Sequence, residues 1–230
     1  MIPGRTAELY DVGFLKTYAD LSDRETTALH MAVYASTQGV WLGHQMQKNA
    51  FDLMAQHDIL YQSRPDVLVE TGTWKGGSAL YYATLMDAMN HGMVITVDKW
   101  NWLGRPTHPR IHFVGGDSID PHVVQSIRNV TDQALKVMVV LDSDHTKAHV
   151  LEELRLYAPM VTLQQYLIVE DTNIHGHPIR TDLPEGPYEA VVEWLKQTTE
   201  FAIDEEIEPI ISNCPGGYLC RVKTSDPEAV

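Results

Sequence analysis

The chain changes rhythm at Asp66. Upstream, apolar positions recur at helical spacing. "TTALHMAVYAS" follows Ser22 and Glu25, which stand three apart as in a capping box, and "NAFDLMAQHDILY" is a second amphipathic run that ends before Pro65. No strand pattern precedes Asp66, so residues 1–64 are expected to form a helical extension that caps the site or makes oligomer contacts. From Asp66 onward, short and wholly apolar runs alternate with helical stretches. "DVLVE", "MVITVD", "IHFVGG", "VMVVLD" and "YLIVED" read as strands, with "GSALYYATLMDAM", "DPHVVQSIRNV" and "TKAHVLEELRLY" as the helices between them. Strands apolar on both faces and joined by helices imply a parallel sheet covered on both sides. After Pro187, "YEAVVEWLKQTTE" reads as a further helix. "FAIDEEI" and "GYLCRVK" read as an antiparallel edge hairpin around a Pro-Gly-Gly turn, and "TSDPEAV" as a frayed tail. The expectation is an α/β, doubly wound Rossmann-like domain over 65–224, with about seven strands of which the last is antiparallel, and a tail at 225–230.

Composition narrows the function. The chain has 230 residues and a formal net charge of −14, which disfavours nucleic acid as a partner. No apolar run approaches the ~18 residues of a membrane span, and the start, "MIPGRTAELYDVG", lacks the apolar core of a signal peptide. Two cysteines, Cys214 and Cys220, are too few for a disulfide framework, so a cytoplasmic protein is expected.

In a doubly wound sheet, ligands gather at the carboxyl ends of the strands. There the sequence places Glu70, Asp98, Asp117, Asp142, Glu170 and Asp171. "VETGTWKGGS" resembles a dinucleotide loop at first sight, but a pyrophosphate at the helix N-terminus would be repelled by Glu70. A ligand with a cationic end reverses that sign. S-adenosylmethionine carries an ammonium and a sulfonium, and Gly72, Gly76 and Gly77 permit close backbone approach to it. Asp98 is placed to accept the ribose hydroxyls and Asp117, in "GGDS", the adenine amino group. Thr73, Ser78 and Ser118 complete the expected cofactor-binding set.

Asp142, Glu170 and Asp171 fall at one corner of the same crevice. Carboxylates that close raise one another's pKa unless a cation lies among them, and an all-oxygen set selects a hard ion, Mg²⁺, Mn²⁺ or Ca²⁺. His145 stands where it can take a proton from an acceptor hydroxyl. Asp144 reads as the N-cap of the following helix, with a metal-ligand role in place of Asp142 left open.

"VETGTWKGGSAL" with Asp98 and Asp117 resembles the cofactor site of class I methyltransferases. "PDVLVETGTWKGGSAL", "LDSDHT", "HVLEEL" and "YLIVEDT" further resemble the cephalosporin hydroxylase family, which includes metal-dependent methyltransferases, and are similar to metal-dependent macrolide sugar O-methyltransferases. The resemblance spans roughly Asp66 to Glu193. It implies Mg²⁺ (or Mn²⁺) on Asp142, Glu170 and Asp171, and His145 as general base. The segment "HGHPIRTDLPEG" departs from the pattern. The function so implied is Mg²⁺-dependent methyl transfer from S-adenosylmethionine to a hydroxyl of a small natural product, in antibiotic-type biosynthesis, by a homo-oligomer. The alternatives are a cofactor-binding accessory subunit without activity of its own and a nicotinamide-dependent oxidoreductase, which Glu70 opposes. An iron site using two of His145, His149, His175 and His177 is disfavoured by the α/β pattern. His175 and His177 read as polar loop residues or as lining of the acceptor pocket, and Trp100 as a flank for the adenine.

Overall fold

The computed structural model describes residues 22–209 and 211–223. The frayed tail and residues 1–21 of the extension therefore lie outside the described residues. The element order is α1 (Asp23–Tyr34), β1 (Gln38–Trp41), β2 (His44–Gln47), α2 (Ala50–Ser63), β3 (Val67–Thr71), α3 (Gly77–Ala88), β4 (Met93–Asp98), β5 (Ile111–Gly115), α4 (Pro121–Thr131), β6 (Val137–Leu141), α5 (Lys147–Tyr157), β7 (Tyr166–Val169), α6 (Pro187–Leu195), β8 (Phe201–Ile203) and β9 (Tyr218–Arg221). The seven-stranded sheet runs β5-β4-β3-β6-β7-β9-β8, with β3 to β7 parallel and β9 antiparallel to both neighbours. The chain is thus a doubly wound α/β domain. β9 is not an edge strand. It is buried along its whole length and inserts between β7 and β8, while the Pro-Gly-Gly turn lies just before it.

Alternate residues of the central strands feed two apolar layers. Val67, Val69, Val139 and Leu141 face α4, α5 and α6, whereas Leu68, Met138 and Val140 face α2 and α3. Each fully buried Val or Leu contributes about 1.5–3 kcal/mol relative to exposure, which explains why these runs are wholly apolar. Helix α2 covers the sheet with Leu53, Ile59 and Leu60 and ends at Arg64 in a left-handed cap before Pro65. Its buried Asp52 accepts hydrogen bonds from Ser212 Oγ at 2.6 Å, Asn213 N at 2.7 Å and Tyr218 Oη at 2.7 Å. That carboxylate ties α2 to the segment leading into β9.

The Ser22–Glu25 capping box is present at the start of α1. The expectation of helix alone before Asp66 is corrected by β1 and β2, an antiparallel hairpin. Each strand has only four residues, several of them polar, and the turn is Leu-Gly with both residues at positive φ. A two-residue hairpin needs that backbone, but its usual sequence marker is Asn-Gly or Asp-Gly. The hairpin crosses the start of α3 so closely that a Cβ on Gly77 would stand 2.4 Å from the Gln45 carbonyl oxygen.

Candidate active site

The loop after β3 turns on three residues with positive φ, Gly72, Trp74 and Gly76, the last being the N-cap of α3. A bulky residue at φ 44, as Trp74 has, is uncommon. Its main-chain N–H is held by Asp98 Oδ2 at 2.7 Å, and its carbonyl accepts from Arg105 Nε at 3.0 Å. Asp98, at the end of β4, also accepts from Trp100 N at 2.7 Å and pairs with Arg105 at 3.2 Å. Its carboxylate is thereby fixed at the lip of the loop.

Glu70 is fully buried beneath that loop. Its Oε2 accepts from Thr96 Oγ1 at 2.7 Å, and Thr96 in turn lies 2.7 Å from Thr73 Oγ1. Its Oε1 has no hydrogen-bond partner among the described residues. Burial raises the Glu70 pKa, and the Lys48 charge and the Ser78 and Thr96 hydroxyls pull against it. A buried carboxylate with an unspent acceptor fits a ligand bearing a positive group, which is the donor chemistry expected of S-adenosylmethionine.

A cleft of about 360 Å³ opens over the carboxyl ends of the strands. Of the expected cofactor residues, Gly72, Thr73, Gly77, Ser78, Asp98, Asp117 and Ser118 border it, together with Trp100 and Trp102. Glu70 and Gly76 do not: Glu70 lies buried beneath the loop, and a Cβ on Gly76 would meet the Pro106 ring at 2.8 Å. Asp117 Oδ1 accepts from Ile119 N at 3.2 Å. Beneath Ser118 lies a polar network that sequence reasoning missed. His149 Nε2 stands 3.0 Å from Ser118 Oγ and 3.1 Å from Ser143 Oγ, and Ser143 donates to the buried Glu153 at 2.7 Å.

At the other end of the cleft, Asp142, His145 and Asp171 each present one ligand atom, all within 4.8 Å of one another. His145 Nε2 lies 3.5 Å from Asp142 Oδ1 and 3.3 Å from Asp171 Oδ2. Asp171 sits at φ 55, a conformation that Asp tolerates better than most residues. Burial lowers the His145 pKa, but the hydrogen bond it donates to Asp142 and the charges of Asp171, Asp142 and Asp144 outweigh it and raise it to about 9. The third expected ligand, Glu170, stands apart from this group. Its Oε1 accepts from Lys48 Nζ at 2.6 Å and Gln56 Nε2 at 2.9 Å, and Gln56 accepts from Tyr82 Oη at 2.6 Å. Burial pushes the Glu170 carboxyl up to about 8 although Lys48 pulls it down.

Lys48, just ahead of α2, also donates to Asp142 Oδ2 at 2.7 Å. Sequence reasoning missed it. The available signal was electrostatic: a cation at the start of a helix opposes the helix dipole, so its placement there needs a partner elsewhere.

One expectation changes and two open alternatives are set aside. The N-cap of α5 is Thr146, and Asp144 instead accepts from the Thr146 main-chain N–H at 2.9 Å. His145 and His149 diverge, the first toward Asp142 and Asp171 and the second toward Ser118, so the pair does not bind one ion. His175 and His177 face Pro184 and Glu189 rather than the cleft. From α1, Tyr34 reaches the cleft.

The family model described as Rhamnosyl O-methyltransferase/CmcI matches residues 33–222. A rhamnosyl O-methyltransferase of Mycobacterium bovis is 32% identical over 211 residues, which cover 87% of this chain and 86% of that protein. The Mycobacterium leprae rhamnosyl O-methyltransferase is 34% identical over 155 residues, 66% of this chain and 68% of that one. Solved structures of CmcI, one apo and one with Mg and SAM, are each 20% identical and cover 97% of this chain and 89% of their own, with a TM-score of 0.63.

Proposed function

The chain belongs to the Rhamnosyl O-methyltransferase/CmcI family, and from that premise we propose that it transfers a methyl group from S-adenosylmethionine to a hydroxyl of a small natural product, a sugar hydroxyl foremost, with Mg²⁺ bound. The observation that carries this is one cleft joining two sets of groups. At one end are the glycine loop, Asp98 and Asp117, with the orphaned Glu70 oxygen below; at the other are Asp142, His145 and Asp171.

When bound, S-adenosylmethionine supplies an electrophilic methyl on a good leaving group, and Mg²⁺ supplies Lewis acidity favouring a deprotonated acceptor oxygen. The chain supplies alignment and proton handling. Glu70 balances the cofactor's positive charge, Asp98 holds the ribose and Asp117 the adenine, with Thr73, Ser78 and Ser118 as polar neighbours. Asp142 and Asp171 are the metal carboxylates on the cleft wall, and Glu170 is the third, held behind them by Lys48 and Gln56. The acceptor proton passes to His145 Nε2, the atom that Asp142 and Asp171 orient. A cation sharing the charge of Asp142 and Asp171 would loosen their hold on the imidazolium and favour the neutral, proton-accepting ring.

The acceptor reading includes a role in antibiotic-type biosynthesis. The exposed apolar side chains of α1 and α2, Met31, Phe51, Met54 and Tyr61, support a homo-oligomer. A cytoplasmic location rests on the cysteine content. Among the described residues no helix is long and apolar enough to cross a membrane. The test is S-adenosylhomocysteine formation by the purified protein with Mg²⁺ and rhamnosyl or macrolide-sugar acceptors. Turnover by the protein alone supports the enzyme, and turnover only with a partner protein supports an accessory subunit.

A further inference from the structure

The Lys48 side chain is 2% exposed, yet its ammonium reaches two carboxylates, Asp142 at 2.7 Å and Glu170 at 2.6 Å. Both belong to the proposed metal set. Its backbone is pinned, because Lys48 N donates to Thr37 O at 3.0 Å and the next residue, Asn49, caps α2. The lysine is therefore placed by the hairpin and α2 together and is not a surface side chain that has folded inward.

Each oxygen of Asp142 faces a cationic side chain, Oδ2 toward Lys48 and Oδ1 toward His145. A divalent ion held by Asp142 and Glu170 would share these carboxylates with the Lys48 ammonium, which already occupies Asp142 Oδ2 and Glu170 Oε1. At such separations, inside a poorly solvated pocket, the ammonium and a divalent ion repel each other. Three buried carboxylates without any cation would repel one another comparably.

We propose that Lys48 is the metal site's resident counter-ion, a positioning residue that holds Asp142 and Glu170 in place while Mg²⁺ is absent and competes with Mg²⁺ for them. The metal affinity is then set by the hairpin–α2 junction as well as by the carboxylates. In consequence the site is pre-assembled but weak, and it exchanges its metal readily. This rests on the metal reading above.

The test is titration with Mg²⁺ alone, followed by calorimetry and thermal unfolding, of wild type, Lys48→Met, Lys48→Arg and Asp142→Ala. Lys48→Met is expected to melt lower than wild type without metal and to bind Mg²⁺ roughly tenfold more tightly, as loss of a neighbouring charge implies. Lys48→Arg keeps the charge and is expected to bind Mg²⁺ no more tightly than wild type. Should Lys48→Met need Mg²⁺ to fold, that dependence also supports the proposal. Equal or weaker Mg²⁺ binding by a folded Lys48→Met overturns it, as does an unfolded Lys48→Met that Mg²⁺ does not rescue. If wild type and Asp142→Ala alike bind no Mg²⁺, the metal reading itself fails, and the lysine proposal with it.

Discussion

Gly72 and Asp142 lie against each other so closely that a Cβ on Gly72 would stand 1.8 Å from the Asp142 carbonyl oxygen. The cofactor loop and the proposed metal corner are thus one mechanical unit, joined where the ends of β3 and β6 meet. Gly72 also has φ +86, which strains any side chain there. Gly72→Ala is expected to cost at least the roughly 1–3 kcal/mol of an overpacked core and to weaken both S-adenosylhomocysteine and Mg²⁺ binding. Calorimetry of both ligands checks this, and loss of one without the other contradicts it.

Glu70 is the sharper probe of the cofactor. Glu70→Gln keeps the shape and the Thr96 hydrogen bond but removes the charge. Charged hydrogen bonds contribute about 1.5–3 kcal/mol, so S-adenosylmethionine affinity is expected to fall roughly 10- to 100-fold. An unchanged dissociation constant removes Glu70 from the cofactor site.

His145→Ala is expected to lower kcat by roughly 10²–10⁴, while S-adenosylhomocysteine binds as in wild type. Single-turnover assays with any working acceptor measure this. Unchanged turnover ends its assignment as base.

The pH dependence of stability has a definite sign. His145 is raised from 6.5 to about 9, so its contribution is complete below pH 6.5 and lost as pH rises through 9. Burial raises Glu170 to about 8 and Asp171 to about 6. Carboxyls that bind protons more tightly when folded also lose stability as pH rises toward those values. The metal-free protein is therefore expected to lose stability between about pH 4 and 9, through Asp171 and Glu170 first and His145 last. Because a metal needs the deprotonated carboxylates, the rise in Tm on adding Mg²⁺ should grow over that window. A rise in Tm that shrinks with pH contradicts this.

Asp52 tests the architecture apart from the chemistry. Asp52→Ala leaves Ser212, Asn213 and Tyr218 without their shared acceptor. Breaking one side of a buried charged network costs about 3–5 kcal/mol, and thermal unfolding should report a corresponding fall in Tm. A shift no larger than for a surface substitution means that this tie does not anchor α2.

The central sheet was legible because its inner parallel strands β3, β4, β6 and β7 are buried on both faces and so are mostly apolar. "MVITVD" coincides with β4, from Met93 to Asp98, and the remaining parallel strands lie within a residue or two of their expected limits. The β1–β2 hairpin was not legible. Its residues alternate inward and outward, but the inward ones are Gly39, Trp41, His44 and Met46, too mixed in polarity to mark an apolar period. Lys48 was hidden for a different reason. Its partners lie 94 and 122 positions away, and only the tertiary fold brings a helix-start lysine to the ends of β6 and β7. Strand-end acids could be read as a group because the topology itself collects them. Whether Glu170 faces the cleft or a buried lysine depends on the segment that packs behind it.

The most direct measurement is calorimetric titration of S-adenosylhomocysteine into the Mg²⁺-saturated protein, paired with Mg²⁺ titration, for wild type and Asp142→Ala. The expected result is S-adenosylhomocysteine binding by both proteins and Mg²⁺ binding by wild type alone. No S-adenosylhomocysteine binding to wild type, or Mg²⁺ binding that survives Asp142→Ala unchanged, would contradict the two-ended site.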